Sequence, residues 1–364
     1  SISVTLGVYE KDVEVAPGFT KHSGIRYATL RDVIIGNDCL IEHVGIINTT
    51  TDATFGQGKV IAVLNEVGDG DVMIFDGLNA QLASLMVKYE HDKVFTQTIR
   101  SIIEERIEQA KQPITTIGND VRITHTTGII NCHISDGCQI DGALRLQDCT
   151  LKSMPDAFVK IGVGVICENS VIYNGSSVLN NAKLENCFVG EACVITDGFT
   201  AESSLFFANC YMSNGEACAA FCGPFSASHH KSSLLIGGMF SFYNAGSATN
   251  FSNHAYKMGP LHWGVLDRGT KTASGSYILM PAHIGTFSVC FGKLMHHPDT
   301  TKLPFSYLIA YGDEMYLVPG RNLTTVGLYR DIRKWPRRDK RPDEARNSVV
   351  NFDWLSPFSV GGIM

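Results

Sequence analysis

Titratable side chains gather in the stretch SNHAYKMGPLHWG, Ser252–Gly264, which follows a long run without charged residues. Two histidines, His254 and His262, lie on either side of a Gly-Pro turn. Transfer of an acyl group to a hydroxyl or amine needs a base with a pKa near 7, and an imidazole provides one. Asn253 could orient the neighbouring ring or stabilise an oxyanion. The stretch therefore predicts His254 as a general base and His262 as a second catalytic contact.

Cations close to this stretch predict contacts to an anionic substrate. Arg268 and Lys271 follow the turn and could bind a phosphate or a carboxylate. His230, within His229-His230-Lys231, is assigned to the same substrate-binding set. Adjacent residues of a strand point to opposite faces, so a metal site at His229 and His230 is not expected, and no metal is predicted.

The remaining histidines have a simpler interpretation as hydrogen-bonded structural imidazoles. His43 and His125 occupy equivalent positions of a repeat, which favours that structural role for them. The same alternative stays open for His254 and His262, whose loop could merely cap the scaffold beneath it. Trp263 is expected to serve packing rather than ligand stacking.

Composition narrows the classes of protein that these residues could serve. The chain has 364 residues, 44% of them hydrophobic and only 18% charged, with 35 glycines, which suits a compact β-rich protein with many turns. The net charge of −6 gives no indication of nucleic acid. The 11 cysteines contain no CxxC pair, and no export signal is visible, so we expect reduced thiols and a cytoplasmic location. Uncharged runs at 232–256 and 272–292 are interrupted by polar residues, which argues against membrane spans and for buried strands or a subunit interface.

Common catalytic signatures are absent from the sequence. It contains no GxxxxGK[ST], no GxGxxG after a strand, no HExxH and no GxSxG. The common kinase, Rossmann, zincin and serine-hydrolase motifs are therefore all missing.

Internal repeats are the strongest signal of architecture. IGNDCLIEHVGIINTT begins at Ile35 and IGNDVRITHTTGIINCH begins at Ile117, 82 residues later. Further echoes are GEAC, which occurs twice, and an amide or acidic residue before a cysteine, as in Asn131-Cys132, Asp148-Cys149, Asn186-Cys187 and Asn209-Cys210. Repetition of this kind is typical of a scaffold built from stacked units.

Between these echoes the chain advances in six-residue units, such as ISDGCQ-IDGALR-LQDCTL. Each unit predicts one short strand, whose aliphatic residue points inward, and one tight turn, where Gly or Asn takes positive φ. Three units close a coil of about eighteen residues. The cysteines Cys132, Cys149, Cys167 and Cys187 recur at about that distance and are expected to stack as a ladder. A β-sandwich of short strands remains the alternative.

These hexads resemble those of the hexapeptide-repeat transferases, which are left-handed parallel β-helix proteins and include acyltransferases and pyrophosphorylase domains. The segment HHKSSLLIGGMFSFYNAGSATNFSNHAYKMGPLHWG more narrowly resembles an uncharacterised bacterial family of large hexapeptide-repeat proteins. The resemblance covers roughly residues 25–65 and 114–295. It implies the left hand of the helix, a homo-oligomer of trimeric type, and acyl-CoA in a groove between subunits with a histidine as base.

Two regions interrupt the repeats, and with them the chain divides into 1–70 (first coils), 71–113 (helical insertion), 114–300 (main β-helix) and 301–364 (non-repeat C-terminal segment). Apolar residues at 3–4 spacing predict two helices at roughly 77–90 and 92–111, ended by Pro113, which pack on the β-helix or on a neighbouring subunit. Residues 330–346 hold eight Lys or Arg against four Asp or Glu. With Trp335 they form either a grip for an anionic ligand or a solvated, salt-bridged segment.

These observations predict a mainly β protein, a left-handed parallel β-helix with an inserted helix pair. The expected function is CoA-dependent acyl transfer to a sugar or nucleotide-sugar acceptor. The alternatives are a non-catalytic binding and oligomerisation module of pyrophosphorylase type and a purely structural scaffold. The expected partners are a small-molecule substrate and further copies of the chain, with no membrane and no nucleic acid.

Overall fold

The computed structural model describes residues 3–66, 68, 70–252 and 263–361, and within them the chain is mainly β. The first strands are β1 (Val4–Leu6), β2 (Asp12–Ala16), β3 (Phe19–His22), β4 (Gly24–Arg31), β5 (Val33–Ile35), β6 (Leu40–Asn48), β7 (Lys59–Ala62) and β8 (Asp71–Ile74). Two helices follow, α1 (Ala80–Lys88) and α2 (Lys93–Ala110).

The central strands are β9 (Thr115–Ile117), β10 (Arg122–Thr124), β11 (Gly128–Ile134), β12 (Gln139–Asp141), β13 (Arg145–Lys152), β14 (Lys160–Ile161), β15 (Ile166–Tyr173), β16 (Ser177–Val178), β17 (Lys183–Glu185), β18 (Phe188–Val189), β19 (Val194–Thr196), β20 (Thr200–Glu202), β21 (Leu205–Phe206), β22 (Tyr211–Ser213), β23 (Glu216–Cys222), β24 (Ala227–Ser228), β25 (Leu234–Phe240) and β26 (Asn250–Ser252).

The last strands are β27 (Val265–Leu266), β28 (Lys271–Thr272), β29 (Tyr277–Leu279), β30 (His283–Ile284), β31 (Val289–Phe291), β32 (Lys293–Leu294), β33 (Tyr307–Tyr311) and β34 (Glu314–Val318). The helices α3 (Val326–Lys334) and α4 (Pro357–Val360) and three 3-10 helices, Arg321–Thr324, Pro336–Arg338 and Asp343–Ala345, complete the described elements.

The strands form a parallel β-helix, which confirms the predicted fold class. In the described residues, 26 strands join in one continuous sheet of parallel pairs. Arg122 of β10 pairs with Gln139 of β12, 17 residues later, so one coil is close to the predicted length. Inward aliphatic residues of successive coils, such as Ile123 and Ile140, are fully or almost fully buried. The uncharged runs at 232–256 and 272–292 contribute buried strand residues to this core, among them Leu235 and Ile278.

The corners of the coils explain the recurring amide or acid before cysteine. Asn131, Asp148, Asn186 and Asn209 all have φ between 50° and 59°, which is the left-handed region. Asn and Asp tolerate this conformation better than most residues, because their short polar side chains can hydrogen-bond locally. The following cysteine then points into the core, where Cys132, Cys149, Cys187 and Cys210 are buried.

The predicted cysteine ladder is partly wrong. Cys132 pairs with Cys149 in adjacent coils. In backbone register, however, Cys149 pairs with Ser170 and Cys167 lies beside Leu146, although the Cys149 and Cys167 thiols are in contact at 3.7 Å. Extra residues between β13 and β14, where Met154 and Ala157 form a small bridge, lengthen this coil and shift the register. All 11 cysteines are free thiols, and all except Cys218 are buried.

The two Ile-Gly-Asn-Asp repeats are neighbours in space. Ile35 pairs with Ile117 across β5 and β9, although 82 residues separate them in the chain. The Gly36 N–H donates to the Ile117 carbonyl at 2.8 Å, and the Asn37 N–H donates to Asn119 Oδ1 at 2.8 Å. A Cβ atom on Gly36 would lie 2.7 Å from the Gly118 backbone, so this approach requires glycine. The intervening residues are therefore an insertion between adjacent coils.

The insertion first runs along the axis of the β-helix, outside the coils. The Thr50 N–H donates to Asn131 Oδ1 and the Thr54 N–H donates to Asp148 Oδ1, each at 2.8 Å. Further on, the Leu64 N–H donates to the Ala219 carbonyl at 2.7 Å. The chain therefore crosses several coils on its way through β7, turns after Leu64 and runs back through the antiparallel β8.

The two predicted helices are confirmed, and they lie against the outside of the β-helix. Asn79 caps α1 by accepting the Leu82 N–H at 2.9 Å, and Asp92 caps α2 in the same manner. Buried residues of the insertion, such as Ala83 and Ile103, share a second hydrophobic cluster with outward residues of the coils. These outward residues are Val171, Tyr173, Phe188, Leu205, Phe207 and Phe221. Burial of this apolar surface holds the insertion in place.

The C-terminal segment folds back over the outside of the coils. Arg341 is buried and forms ion pairs with Asp339 at 2.9 Å and Glu191 at 3.6 Å. Glu191 also accepts the backbone N–H groups of Asn347 and Ser348 at 2.6 and 2.5 Å. These contacts fix α3 and the residues after it against coils that precede them by more than one hundred residues.

Candidate functional site

A cleft of about 480 Å³ lies between the coils and the C-terminal segment. The coils contribute an aromatic wall that includes Tyr211, Phe225 and Phe242, together with His229. Trp335 closes one side and packs edge-on against Phe242, with ring centroids 4.7 Å apart. The volume lies within the range of small-molecule sites, which is roughly 300–1,000 Å³.

Positive charge dominates the wall formed by the C-terminal segment. Arg330, Lys334 and Arg338 follow one another at four-residue spacing and all line the cleft. Arg330 and Lys334 are four residues apart on α3 and therefore share one face, and Arg338 follows in the 3-10 helix Pro336–Arg338. Lys340 and, from the coils, Lys271 add two more cations, while Asp331 is the only carboxylate among the described residues that line the cleft.

The cations of the cleft repel one another. Burial lowers the pKa of Lys334, and the charges of Arg338 and Arg330 lower it further. In the described part of the chain no carboxylate forms an ion pair with Lys334, Arg338 or Lys340. Clustered, weakly compensated cations of this kind are a favourable environment for a phosphate or another anion.

His229 lies on the opposite wall, directly after β24. Its ring contacts His230 at a centroid distance of 4.2 Å and Tyr211 at 5.8 Å. Partial burial lowers its pKa, and His230, Arg338 and Lys334 lower it further by repulsion. These effects favour the neutral imidazole, which is the form that accepts a proton.

Lys271, predicted as an anion contact, lines this cleft and forms an ion pair with Asp331 of α3. Both side chains are largely buried. Burial lowers the pKa of Lys271, and Arg330 and Lys334 act in the same direction, while the adjacent Asp331 carboxylate stabilises the ammonium. Its position in β28 places this charge on the coil side of the cleft.

Arg268, the other predicted anion contact, does not line the cleft but holds its wall in place. The guanidinium lies 4.3 Å from the centroid of the Phe242 ring. One nitrogen donates to the Asn351 carbonyl at 2.6 Å. These contacts join the coils to the C-terminal segment.

The other predicted residues have different outcomes. Asn253, His254 and His262 lie outside the described residues. His230 stands beside His229, but it is His229 that lines the cleft. The predicted basic segment at 330–346 provides four of the five cations of the cleft, so part of the site was visible in the sequence as a local charge excess.

The wall that carries these cations is held by a corner residue of the coils. Asn209 donates to Asp339 Oδ1 at 2.8 Å and accepts the Lys340 N–H at 3.0 Å. Because Asp339 also binds Arg341, the three residues connect the cleft to the buried ion pairs that fix the segment. The cleft is therefore formed by long-range contacts that no local pattern indicates.

Two other histidines form a separate group on the first coils. The rings of Tyr27, His43 and His125 are stacked almost in parallel at coil corners, with centroid distances of 4.9 and 5.6 Å. The outermost histidine, His125, contacts Asp141 through Nδ1 at 3.2 Å. This arrangement agrees with the structural role expected for His43 and His125. Among the described residues, no group of three or more His, Cys, Asp or Glu side chains is placed to hold a metal ion.

The helices described here include none with the length and apolar character of a membrane span.

The whole chain, residues 1–364, matches the family model described as "Domain of unknown function (DUF4954)", and the chain belongs to that family. An uncharacterised protein of Treponema pallidum (strain Nichols) is 23% identical over 381 residues, which cover 95% of this chain and 52% of that protein. The chain thus spans about half the length of this relative.

Among solved structures, the crystal structure of the polySia specific acetyltransferase NeuO is similar at 12% sequence identity. The match covers 56% of this chain and 74% of that chain, with a TM-score of 0.14. A score this low supports no argument about fold or activity.

Proposed function

We propose that the cleft binds a phosphate-bearing small molecule and that the protein is a transferase with His229 as its general base. The observation that carries this proposal is the pairing of a cationic wall, formed by Arg330, Lys334 and Arg338, with a neutral imidazole on the facing wall. The cations would bind the phosphate, and His229 would remain free to accept a proton.

The form of the reaction that we propose is acyl transfer from acyl-CoA, whose phosphates suit the cationic wall, to a sugar-type hydroxyl. His229 takes the proton of the hydroxyl as its oxygen attacks the thioester carbonyl. The carbon–sulfur bond breaks, and the coenzyme A thiolate leaves and receives that proton. One ester forms for each thioester consumed, so the step needs no other reactant.

The proposal is tested first by binding and then by turnover. We expect pyrophosphate and acetyl-CoA to raise the melting temperature, because a ligand that binds only the folded state stabilises it. Acetyl-CoA incubated with a panel of sugars and nucleotide sugars should then give a product one acetyl group heavier by mass spectrometry. The proposal is wrong if none of these anions binds.

Substitution of His229 separates binding from chemistry. His229→Ala should reduce product formation to near background, because one general base contributes roughly 10²–10⁴ to a rate. The affinity for pyrophosphate should change by less than about threefold, because the cations that bind it remain. His43→Ala, a histidine remote from the cleft, is the matched control. Equal turnover by the wild type and His229→Ala would remove His229 from the mechanism.

A binding module without chemistry is the second candidate, and one observation favours it. Within the described residues no carboxylate orients the His229 ring, whereas a base in catalysis is normally held by a third group. This candidate predicts stabilisation by phosphate-bearing ligands with no product from any donor and acceptor pair.

A further inference from the structure

Asp331 stands out within the cleft because it is a carboxylate among five cations. It lies on α3 beside Arg330, yet its side chain turns inward and is only 12% exposed. Asp331 contacts the Lys271 ammonium, which reaches the cleft from the opposite wall, and it also forms an ion pair with the neighbouring, more exposed Arg330 at 3.4 Å. The wall and the coils are thus joined across the binding volume by one internal ion pair.

This pair affects every anion that enters the cleft. A ligand that contacts Lys271 must displace the Asp331 carboxylate that is already bound there. For a ligand with a single negative charge, this exchange contributes little to the free energy of binding. A group with two or more negative charges can instead compensate Lys271 and the unpaired Lys334 and Arg338 together. The internal carboxylate therefore penalises singly charged anions more than multiply charged ones.

We propose that Asp331 is an internal competitor that selects dianionic phosphates, such as phosphomonoesters and pyrophosphates, over carboxylates and phosphodiesters. This inference rests on the proposed function, since it concerns the same cleft. Asp331 is a specificity determinant and takes no part in proton transfer. Lys271 therefore has two alternative partners: it binds Asp331 when the cleft is empty and the phosphate when a ligand is present.

Asp331→Asn keeps the shape of the side chain and removes its charge. We expect this variant to bind pyrophosphate about tenfold more tightly in calorimetry, since Lys271 no longer has to be released. The gain should vanish in Asp331→Asn/Lys271→Met. Asp343→Asn, which removes an exposed carboxylate from the same segment outside the cleft, should change the affinity by less than twofold.

The loss of selectivity is measured with a matched pair of ligands, phenyl phosphate and methyl phenyl phosphate, which carry two and one negative charges at pH 8. The wild type should prefer the dianion by about tenfold or more, and Asp331→Asn should reduce this ratio severalfold because the monoanion gains most. An unchanged ratio in a variant that binds pyrophosphate normally would overturn the role of Asp331.

A second comparison leaves Asp331 intact, in case its replacement loosens α3. Lys334→Met should weaken pyrophosphate binding about tenfold, whereas Lys271→Met should weaken it only two- to threefold, because Lys271 starts from an ion pair and Lys334 does not. The opposite order would contradict the competition. If the wild type and Asp331→Asn both fail to bind any anion, the proposed function fails; if the wild type binds and these orders are reversed, only the competition fails.

Discussion

Two of the regions that contain histidines differ in what surrounds the imidazole. On the first coils, His43 and His125 stack on each other and on Tyr27, so their neighbours are the equivalent residues of adjacent coils. At the cleft, His229 faces cations that come from α3, a segment outside the repeat. A histidine at a repeated position thus stacks on the equivalent residue of the next coil. His229, in contrast, meets cations because a segment outside the repeat packs beside it.

This difference depends on the C-terminal segment remaining in place, which gives the prediction with the largest effect. Arg341→Ala leaves the buried carboxylates Glu191 and Asp339 without their cation, and removal of one partner of a buried ion pair costs about 3–5 kcal/mol. Hydrogen exchange should show faster exchange in residues 326–349, with loss of pyrophosphate binding. The ring stack of Tyr27, His43 and His125 should be unaffected.

The control for that prediction is Arg346→Ala. Arg346 forms an ion pair with Asp343 in which both side chains are exposed, and such pairs contribute about 0–1 kcal/mol. Similar losses of stability in both variants would show that the Arg341 pairs do not hold the segment.

His133, which lies in neither region, extends the comparison to the pH dependence of stability. His133 packs against Phe55 at a centroid distance of 3.8 Å, and burial lowers its pKa to about 4. An unfolded histidine takes up its proton near pH 6.5, so stability is complete above that pH and is lost as the pH falls from about 6.5 to 4. The loss should reach about 2 kcal/mol after allowance for partial exposure.

His133→Phe keeps the aromatic contact and removes the titration. Urea denaturation at pH 7 and pH 4 should show a smaller loss of stability in the variant than in the wild type. Identical losses would mean that His133 is not the source of the acid sensitivity.

Charge in the basic segment is expected to affect binding only from residues that line the cleft. Arg338→Met should weaken pyrophosphate binding about tenfold, or about 1.4 kcal/mol, because Arg338 lines the cleft. Arg337→Met removes the same charge from the neighbouring residue, which does not line it, and should change the affinity by less than twofold. Equal effects would indicate a general attraction to the basic segment rather than a site.

The smallest effect is expected in the ring stack. His43→Ala removes one ring from an exposed stack, which should cost about 0.5 kcal/mol, at the low end for aromatic pairs. The affinity of the cleft for pyrophosphate should not change. A loss of binding in this variant would contradict the separation of the two regions.

Much of the fold could be predicted because the same sequence pattern recurs in successive coils, so each repeat supports the same structural interpretation. The period of the hexads gave the coil, and the amide or acid before cysteine marked corners that have positive φ, as at Asn131 and Asp148. The 82-residue distance between the two Ile-Gly-Asn-Asp units revealed the insertion, whose helices begin and end within three residues of the predicted bounds. The register failed at Cys167, where a few extra residues lengthen one coil.

The candidate site was harder to predict because it combines residues that are distant in the chain. The sequence shows both the basic run at 330–346 and the His229-His230 pair, but local spacing gives no reason to place them together. The decisive contacts, Asn209 with Asp339 and Lys271 with Asp331, span 130 and 60 residues. The spacing of histidines instead favours His254 and His262, which lie outside the described residues.

The insertion has a consequence for how the chain folds. In most solenoids each repeat interacts only with its neighbours, so folding can begin anywhere and spread. Here the chain after β6 lies along Asn131 and Asp148, and the insertion packs on Phe188, Phe207 and Phe221, which a ribosome makes much later. The helices can therefore pack on these residues only after the ribosome has added more than seventy further residues. The same contacts couple early coils to late coils. We therefore expect these coils to unfold in one cooperative transition rather than to fray gradually from one end.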